Sequence, residues 1–300
     1  MLDAIVQGIL LGGYYAILAA GLSLMLGVVR FINLAHGDLA ILGAYLMLFA
    51  IERLGISVWL SIAIVLPVMA ALGWFLQAAI FARTLKAGIL LPLLATFGLG
   101  GVLQNGMFGL FGSDAKSLGN HIGSLSWSSW RLPLDISIGK LPAITFAVAV
   151  LVLGGLHLLL TRTAVGRAMR ATSIDPEAAE LVGVDAARAH RTTAAIAVAL
   201  AGLAGAFLAM RALISPYSGP MQLLFAFEAV VIGGIGSLWG TLIGGIVLGL
   251  AQSLGALISP QYFQLSGHLV FLAVLGFRLW RTYLSDHGGW RAALTAGGRA

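Results

Sequence analysis

The stretch LLFAFEAVVIGGIGSLWGTLIGGIVLGLAQSLGALI, Leu223–Ile258, decides the fold. It is apolar almost throughout, yet a single helix drawn through it would be about 54 Å long at ~1.5 Å per residue, against a hydrocarbon core of roughly 30 Å. Glycine interrupts it at Gly233, Gly234, Gly236 and Gly240, with Ser237 among them. The run therefore reads as a hairpin or as two half-spans. It also carries Glu228, a carboxylate that is costly inside a membrane.

Working outward, further apolar runs fall at 4–28, 35–51, 57–82, 88–111, 142–160, 192–214 and 263–280. With 60% hydrophobic and 9% charged residues and a mean hydropathy of +1.00, the chain is far from soluble composition. The expected fold is all-α: a polytopic transmembrane bundle of about eight spans with broken or re-entrant segments, forming one domain over 1–300. MLDAIVQGILLGG lacks a basic leader region and reads as a retained first span rather than a cleaved signal.

Charge sets the expected orientation. Placing the loops around Arg30, Arg83/Lys86 and Arg162–Arg191 with the C-terminal tail on one side collects twelve of the seventeen basic residues there. Basic loops stay in the cytoplasm. The expected cytoplasmic segments are then 161–191 and 281–300, and the expected external loop is 112–141. This arrangement requires 223–258 to turn back on itself. The same pattern explains the pI near 10.1 as a topology signal and not as a nucleic-acid footprint.

Several chemistries are excluded. With no cysteine there are no disulfides and no thiolate metal sites or nucleophiles. No phosphate-loop motif and no Ser/His/Asp set is present, so the chain is expected to be neither an ATPase nor a hydrolase and to bind no cofactor. His36 and Asp38 lack a third ligand for a metal.

Polar residues inside apolar runs are the candidate path. Asn33, His36, Gly37 and Asp38 stand in GVVRFINLAHGDLAILGAY, which reads either as a cytoplasmic turn capped by Asp38 or as a broken helix dipping inward. Glu228 reads either as a path residue or as a wet group near the outer interface. Paired interruptions, one in each half, point to a transport site, and here the expected pair is 30–38 with 233–240, including Gly233, Gly234, Gly236 and Ser237. Half-helix N-termini could offer amides to a small zwitterion or neutral solute. Gly236, Gly240 and Gly244, and then Gly245 and Gly249, recur at four-residue spacing that suits tight helix packing or a path lining. His157 and His268 read as packed or interfacial.

TSIDPEAAELVGVDAARAH, Thr172–His190, is a different kind of segment. Asp175 is an N-cap and Pro176 suits the first helical position. Glu177 and Glu180 favour the helix N-terminus, and Gly183 supplies a left-handed stop. Asp185 is the N-cap of the next helix. A short isolated helix over 176–182 follows.

Together GLSLMLGVVRFINLAHGDLAILGAYL, GRAMRATSIDPEAAELVGVDAARAHRTTAAIAVALAGLAGAFLA and FAFEAVVIGGIGSLWGTLIGGIVLG resemble the permease subunits of bacterial branched-chain amino-acid ABC importers, the shorter of the two in particular. The resemblance covers nearly the whole chain. It implies a multi-pass protein of the bacterial inner membrane, embedded in lipid. Its implied partners are a second related permease, two cytoplasmic ATPase subunits that hydrolyse the ATP, and a periplasmic substrate-binding protein. It also implies that 176–182 is a coupling helix seated in the ATPase, with Asp175, Pro176 and Gly183 fixing its ends, Glu177 in its first turn, and Ala178, Ala179 and Leu181 forming the docking face. Trp239 stands where the family usually has a smaller residue or proline, and Arg211 is left unexplained by the motifs. Relatives importing urea or short amides are the alternative on substrate. An ion-coupled carrier is disfavoured because only Glu228 is an intramembrane ionisable candidate, and a membrane enzyme lacks a constellation.

Overall fold

The computed structural model describes residues 1–85, 88, 90–132 and 136–286; Lys86 and the tail residues 287–300, with Arg291 and Arg299, lie outside the described residues. The helices, in chain order, are α1 (Leu2–Val29), α2 (His36–Leu54), α3 (Val58–Leu85) and α4 (Leu90–Phe111). A hairpin of β1 (Ser129–Leu132) and β2 (Ile136–Gly139) follows. Then come α5 (Lys140–Arg162), α6 (Ala164–Ile174), α7 (Pro176–Leu181), α8 (Ala186–Arg211), α9 (Gly219–Gly233), α10 (Leu238–Ile258) and α11 (Tyr262–Asp286). The chain is an all-α membrane bundle. Among the described residues seven helices, α1, α3, α4, α5, α8, α10 and α11, have the length and apolarity to cross a membrane. The helices α2 and α9 differ, because both begin inside the bundle.

Two helices form its buried centre, α1 and α8. On α8 the residues turned inward are small, with Ala194, Ala197, Ala201 and Ala204 fully buried, so α1, α2 and α3 all approach it closely. In a bilayer such close approach replaces the hydrophobic drive available in water. Glycine makes the seam between α1 and α10: a Cβ on Gly12 would lie 2.5 Å from Ile246 Cα, and one on Gly245 would lie 2.6 Å from the Gly12 carbonyl oxygen. The opposite stripe on α10, Gly240 and Gly244, packs on Gly233 and Ala229 of α9. The four-residue glycine spacing is thus consumed by packing on two faces of one helix.

The 223–258 run turns back on itself as expected. After α9 the chain bends at Gly234 (φ 101°) and Gly236 (φ 77°), and Ser237 Oγ accepts from the Gly240 amide at 3.1 Å to start α10. Arg278 on α11 donates to the Ile232 carbonyl at 2.9 Å, which brings it to the same end as this corner. Arg30, Arg83, Arg162, α6 and α7 lie at that end, called the basic end below.

At the far end the loop read as 112–141 contains the β-hairpin, which no sequence signal announced. It is tied down by the bundle at the hairpin and ahead of it. Asp3 Oδ1 accepts from the Ser137 amide at 2.9 Å, and Lys116 exchanges backbone hydrogen bonds of 2.9 and 2.8 Å with Ile214.

Candidate functional site: two helix breaks and a capped loop helix

The first break follows α1. That helix closes in a π-turn, and Arg30 adopts the left-handed conformation (φ 63°) that reverses the chain. Residues with a Cβ disfavour it by roughly 1 kcal/mol or more, so the surroundings must hold it. Residues 31–33 then climb back alongside the bundle without regular structure, and 34–35 form a turn closed by the His36 amide donating to the Asn33 carbonyl at 3.1 Å. Phe31 packs on Phe81 at 5.1 Å, the Leu34 amide donates to Thr96 Oγ1 at 3.2 Å, and Asn33 Oδ1 accepts from the Ala35 amide at 3.1 Å. His36 starts α2 with its Nε2 3.0 Å from the Leu18 carbonyl oxygen. A carbonyl only accepts, so Nε2 carries the hydrogen there. Leu18 lies eleven residues before the end of α1, about 16 Å inward at ~1.5 Å per residue. The segment is a broken helix and not a turn at the surface, and Asp38 sits in the first turn of α2 without capping it.

The second break follows α8. Residues 212–218 fold inward from the far end, and α9 begins at Gly219, directly against the first turn of α2. A Cβ on Gly37 would overlap the Gly219 carbonyl, and one on Gly219 would overlap the Asp38 carboxylate. From this meeting point α2 runs to the far end and α9 to the basic end. The partner of the 30–38 break is therefore 212–218. The expected partner, 233–240, is the corner at the basic end, where Gly233, Gly234, Gly236 and Ser237 shape the α9–α10 turn. The sequence missed 212–218 because ALISPYS is neither apolar enough for a span nor polar enough for a plain loop.

At the junction the positive ends of two helices face one carboxylate. Asp38 is 3% exposed, its Oδ1 accepts from Gln104 Nε2 at 2.9 Å, and its Oδ2 faces Gly100 on α4. The chain's own carboxylate thus occupies the place where helix N-termini were expected to receive a substrate. Asp38 holds α2, α4 and α9 together.

Glu228 lies on α9, two to three turns from the junction, and is 1% exposed. It is not a wet interfacial group. Its Oε1 is bonded to His268 Nδ1 on α11, whereas Oε2 has no partner among the described residues. Phe225 stacks on the His268 ring (6.2 Å, 15°) and meets Tyr15 at 5.3 Å. Tyr15 in turn donates to Gln252 Oε1 on α10, and Tyr14 donates to Gln222 Oε1 at 2.6 Å. A polar seam thus runs between α1, α9, α10 and α11, separate from Asn33, His36 and Asp38. His268 was read as packed or interfacial. It is partly exposed, but it is the partner of Glu228. Forty residues separate the pair in sequence, so no local spacing signalled it.

At the basic end α7 is built as its sequence dictates. Asp175 Oδ1 accepts from the Glu177 and Ala178 amides at 3.0 and 3.1 Å, Pro176 opens the helix, and Gly183 (φ 85°) ends it. Asp185 Oδ1 accepts from the Arg188 amide at 2.8 Å and starts α8. The facing is different from that expected. Ala179 is turned inward against α6 and α8 and is buried, so it offers no docking surface. The outward apolar groups are Leu181 (89% exposed), Val182 (79%) and Ile174 (76%), with Ala178 and Glu177 beside them.

Broken helices meeting inside a bundle and a rigid capped helix outside it define a membrane transport subunit. Residues 4–275 match the family described as "Branched-chain amino acid transport system / permease component". The chain belongs to this family. It is 31% identical over 294 residues to the high-affinity branched-chain amino acid transport system permease protein BraD of Pseudomonas aeruginosa, covering 92% of this chain and 94% of that one. It is 30% identical over 288 residues to LivH of Escherichia coli (91% and 92% covered). A fructose import permease, FrcC of Rhizobium meliloti, is 36% identical over 143 residues, only 43% of this chain. No solved structure matches. The chain is a multi-pass inner-membrane permease component of a multi-part transport system, with ATPase and binding-protein components implied by the family.

Proposed function

We propose that this chain translocates branched-chain amino acids as one of two related permeases in an ATP-driven importer. Two cytoplasmic ATPase subunits hydrolyse the ATP, and a periplasmic binding protein delivers the substrate; this chain itself holds no nucleotide. The observation that carries the reading is the match to branched-chain amino-acid permeases over more than nine-tenths of both chains, against matches to fructose import permeases over 43% of this chain (FrcC) or over 79% of this chain and 66% of the relative (FruF of Bifidobacterium longum). The basic end faces the cytoplasm, in keeping with the charge rule, and the hairpin loop faces outward.

Within this reading α7 is the coupling helix. Caps at both ends make it a rigid lever, and Leu181 and Val182 are its anchor into the ATPase, with Asp175, Pro176 and Gly183 holding the geometry. Asn33, His36, Gly37 and Asp38 set the break next to which substrate passes, and Glu228 sets the second polar point. The test is uptake of labelled leucine by the complete importer in proteoliposomes, with unlabelled competitors. Isoleucine and valine should suppress uptake; urea, acetamide and fructose should not. Suppression by urea or fructose instead would move the chain to another substrate class.

A further inference from the structure

At the far end, between α1, α5, α8, α10 and α11, lies a cavity of about 490 Å³. It is distinct from the α2–α9 junction and from the Glu228–His268 pair. Its cation is Arg211, the residue that the sequence motifs left unexplained. The guanidinium lies 5.4 Å from the centre of the Tyr14 ring, and among the described residues no carboxylate pairs with it. A cation placed over a ring face is attracted by the ring quadrupole and keeps its hydrogen-bond donors free. Around it the cavity is two-sided in chemistry. Leu11, Leu141, Met210 and Phe263 line it with apolar surface, the first three buried, while Thr145 and Ser253 add hydroxyls.

The site is also held in shape. Ser117 Oγ donates to the Ala209 carbonyl at 3.2 Å and the Leu118 amide donates to the same carbonyl at 2.7 Å, which fixes the rim to the end of α8 beside Arg211. At the floor, Tyr14 is bonded to Gln222 in the first turn of α9. An occupant would therefore lie against the helix that leads inward.

We infer that this cavity binds a small aliphatic carboxylate, the anionic end on Arg211 and the tail against Leu11, Leu141, Met210 and Phe263. Among the described residues no side-chain carboxylate lines the cavity to receive an ammonium group, so the carboxylate and the tail are the recognised parts. The proposed function enters only in the choice of leucine as one probe.

The experiment uses the assembled membrane complex in phosphatidylcholine nanodiscs, without the soluble binding protein. Binding of labelled leucine is measured in competition with 4-methylpentanoate, which lacks the amine, and with 3-methylbutylamine, which lacks the carboxylate. Leucine and 4-methylpentanoate should compete for one site per copy of this chain, and the amine should not. Arg211→Gln should weaken binding at least tenfold, as expected for loss of a charge-assisted hydrogen bond. Ser253→Phe, which fills the cavity and leaves Arg211 in place, should abolish binding while the complex melts normally. Unchanged binding in both variants, or equal competition by the amine, would overturn the inference. So would displacement of leucine when phosphatidylglycerol is added to the discs, because the cavity would then be a lipid headgroup site. Uptake by the complete importer is read separately. Uptake without this binding refutes the cavity alone, and binding without uptake refutes the importer reading alone.

Discussion

The carboxylate of Asp38 rests against the Cα of Gly219, so closely that no side chain fits between them. The contact joins two chain breaks more than 170 residues apart and locks the start of α2 to the start of α9. Gly219→Ala must push the two helices apart. Overpacking of this kind costs roughly 1–3 kcal/mol, and at a junction of backbone and carboxylate the upper part of that range is expected. Gly101, one residue from Gly100 on α4, has open space where a Cβ would go. Gly101→Ala should melt like wild type in detergent and Gly219→Ala should melt clearly lower; equal melting of the two would refute the contact.

Asp38 itself separates charge from shape. Asp38→Asn keeps an oxygen for Gln104 but removes the negative charge facing two helix N-termini, a loss of up to ~2 kcal/mol in a buried setting. Asp38→Leu also leaves the Gln104 amide without an acceptor, adding about 1–3 kcal/mol. The order of thermal stability should be wild type, Asn, Leu. An Asn variant as poor as Leu would make the charge alone the working part, and an Asn variant as stable as wild type would make it the hydrogen bond.

Glu228 and His268 form a pair whose two halves are not equivalent. Glu228 is buried, with Oε2 lacking a partner among the described residues, whereas His268 is partly exposed. Removing the histidine strands a buried carboxylate, and removing the carboxylate leaves a histidine that reaches solvent. His268→Leu should therefore lower uptake and melting temperature more than Glu228→Gln does. The double variant should recover part of the His268→Leu loss. Additive losses would show that the pair is not coupled.

For α7 the facing of the helix makes two variants differ in kind. Leu181→Asp alters only an outward group, so membrane abundance and melting should stay normal while ATPase co-purification falls several-fold. Ala179→Arg forces a charge between α6, α7 and α8 and should destabilise the loop itself. Retention of the ATPases by Leu181→Asp would remove the helix from the coupling role.

Much of this architecture can be read from residue order. The apolar runs locate the spans, the glycines at 233–240 predict the α9–α10 turn, and Asp175, Pro176, Gly183 and Asp185 predict α7 and the start of α8 by local capping chemistry alone. What failed to show was decided by tertiary packing. A six-residue helix has too few turns for periodicity to tell an inward Ala179 from an outward Leu181. The 212–218 entry is stabilised by distant backbone, Lys116 and Asp38, and carries no local signature. The occupant of the helix N-termini was read as a ligand because the pairing of Asp38 with Gln104 spans 66 residues.

Orientation is open to labelling in a chain without native cysteine. Ser126→Cys, exposed at the far end, should react with an impermeant maleimide in intact cells. Thr282→Cys and Glu177→Cys, exposed at the basic end, should react only after permeabilisation. Labelling of Thr282→Cys in intact cells would place the two ends of α11 the other way round.

The central claim, that this permease converts ATP turnover in partner subunits into amino-acid movement, is met most directly by one measurement: leucine accumulated in proteoliposomes holding the complete importer, recorded together with ATP hydrolysed. Wild type should accumulate leucine against its gradient only when ATP and the binding protein are both present, and Leu181→Asp, inserted to the same level, should lose most of that accumulation. Uptake that proceeds without ATP, or that survives Leu181→Asp unchanged, would contradict the account.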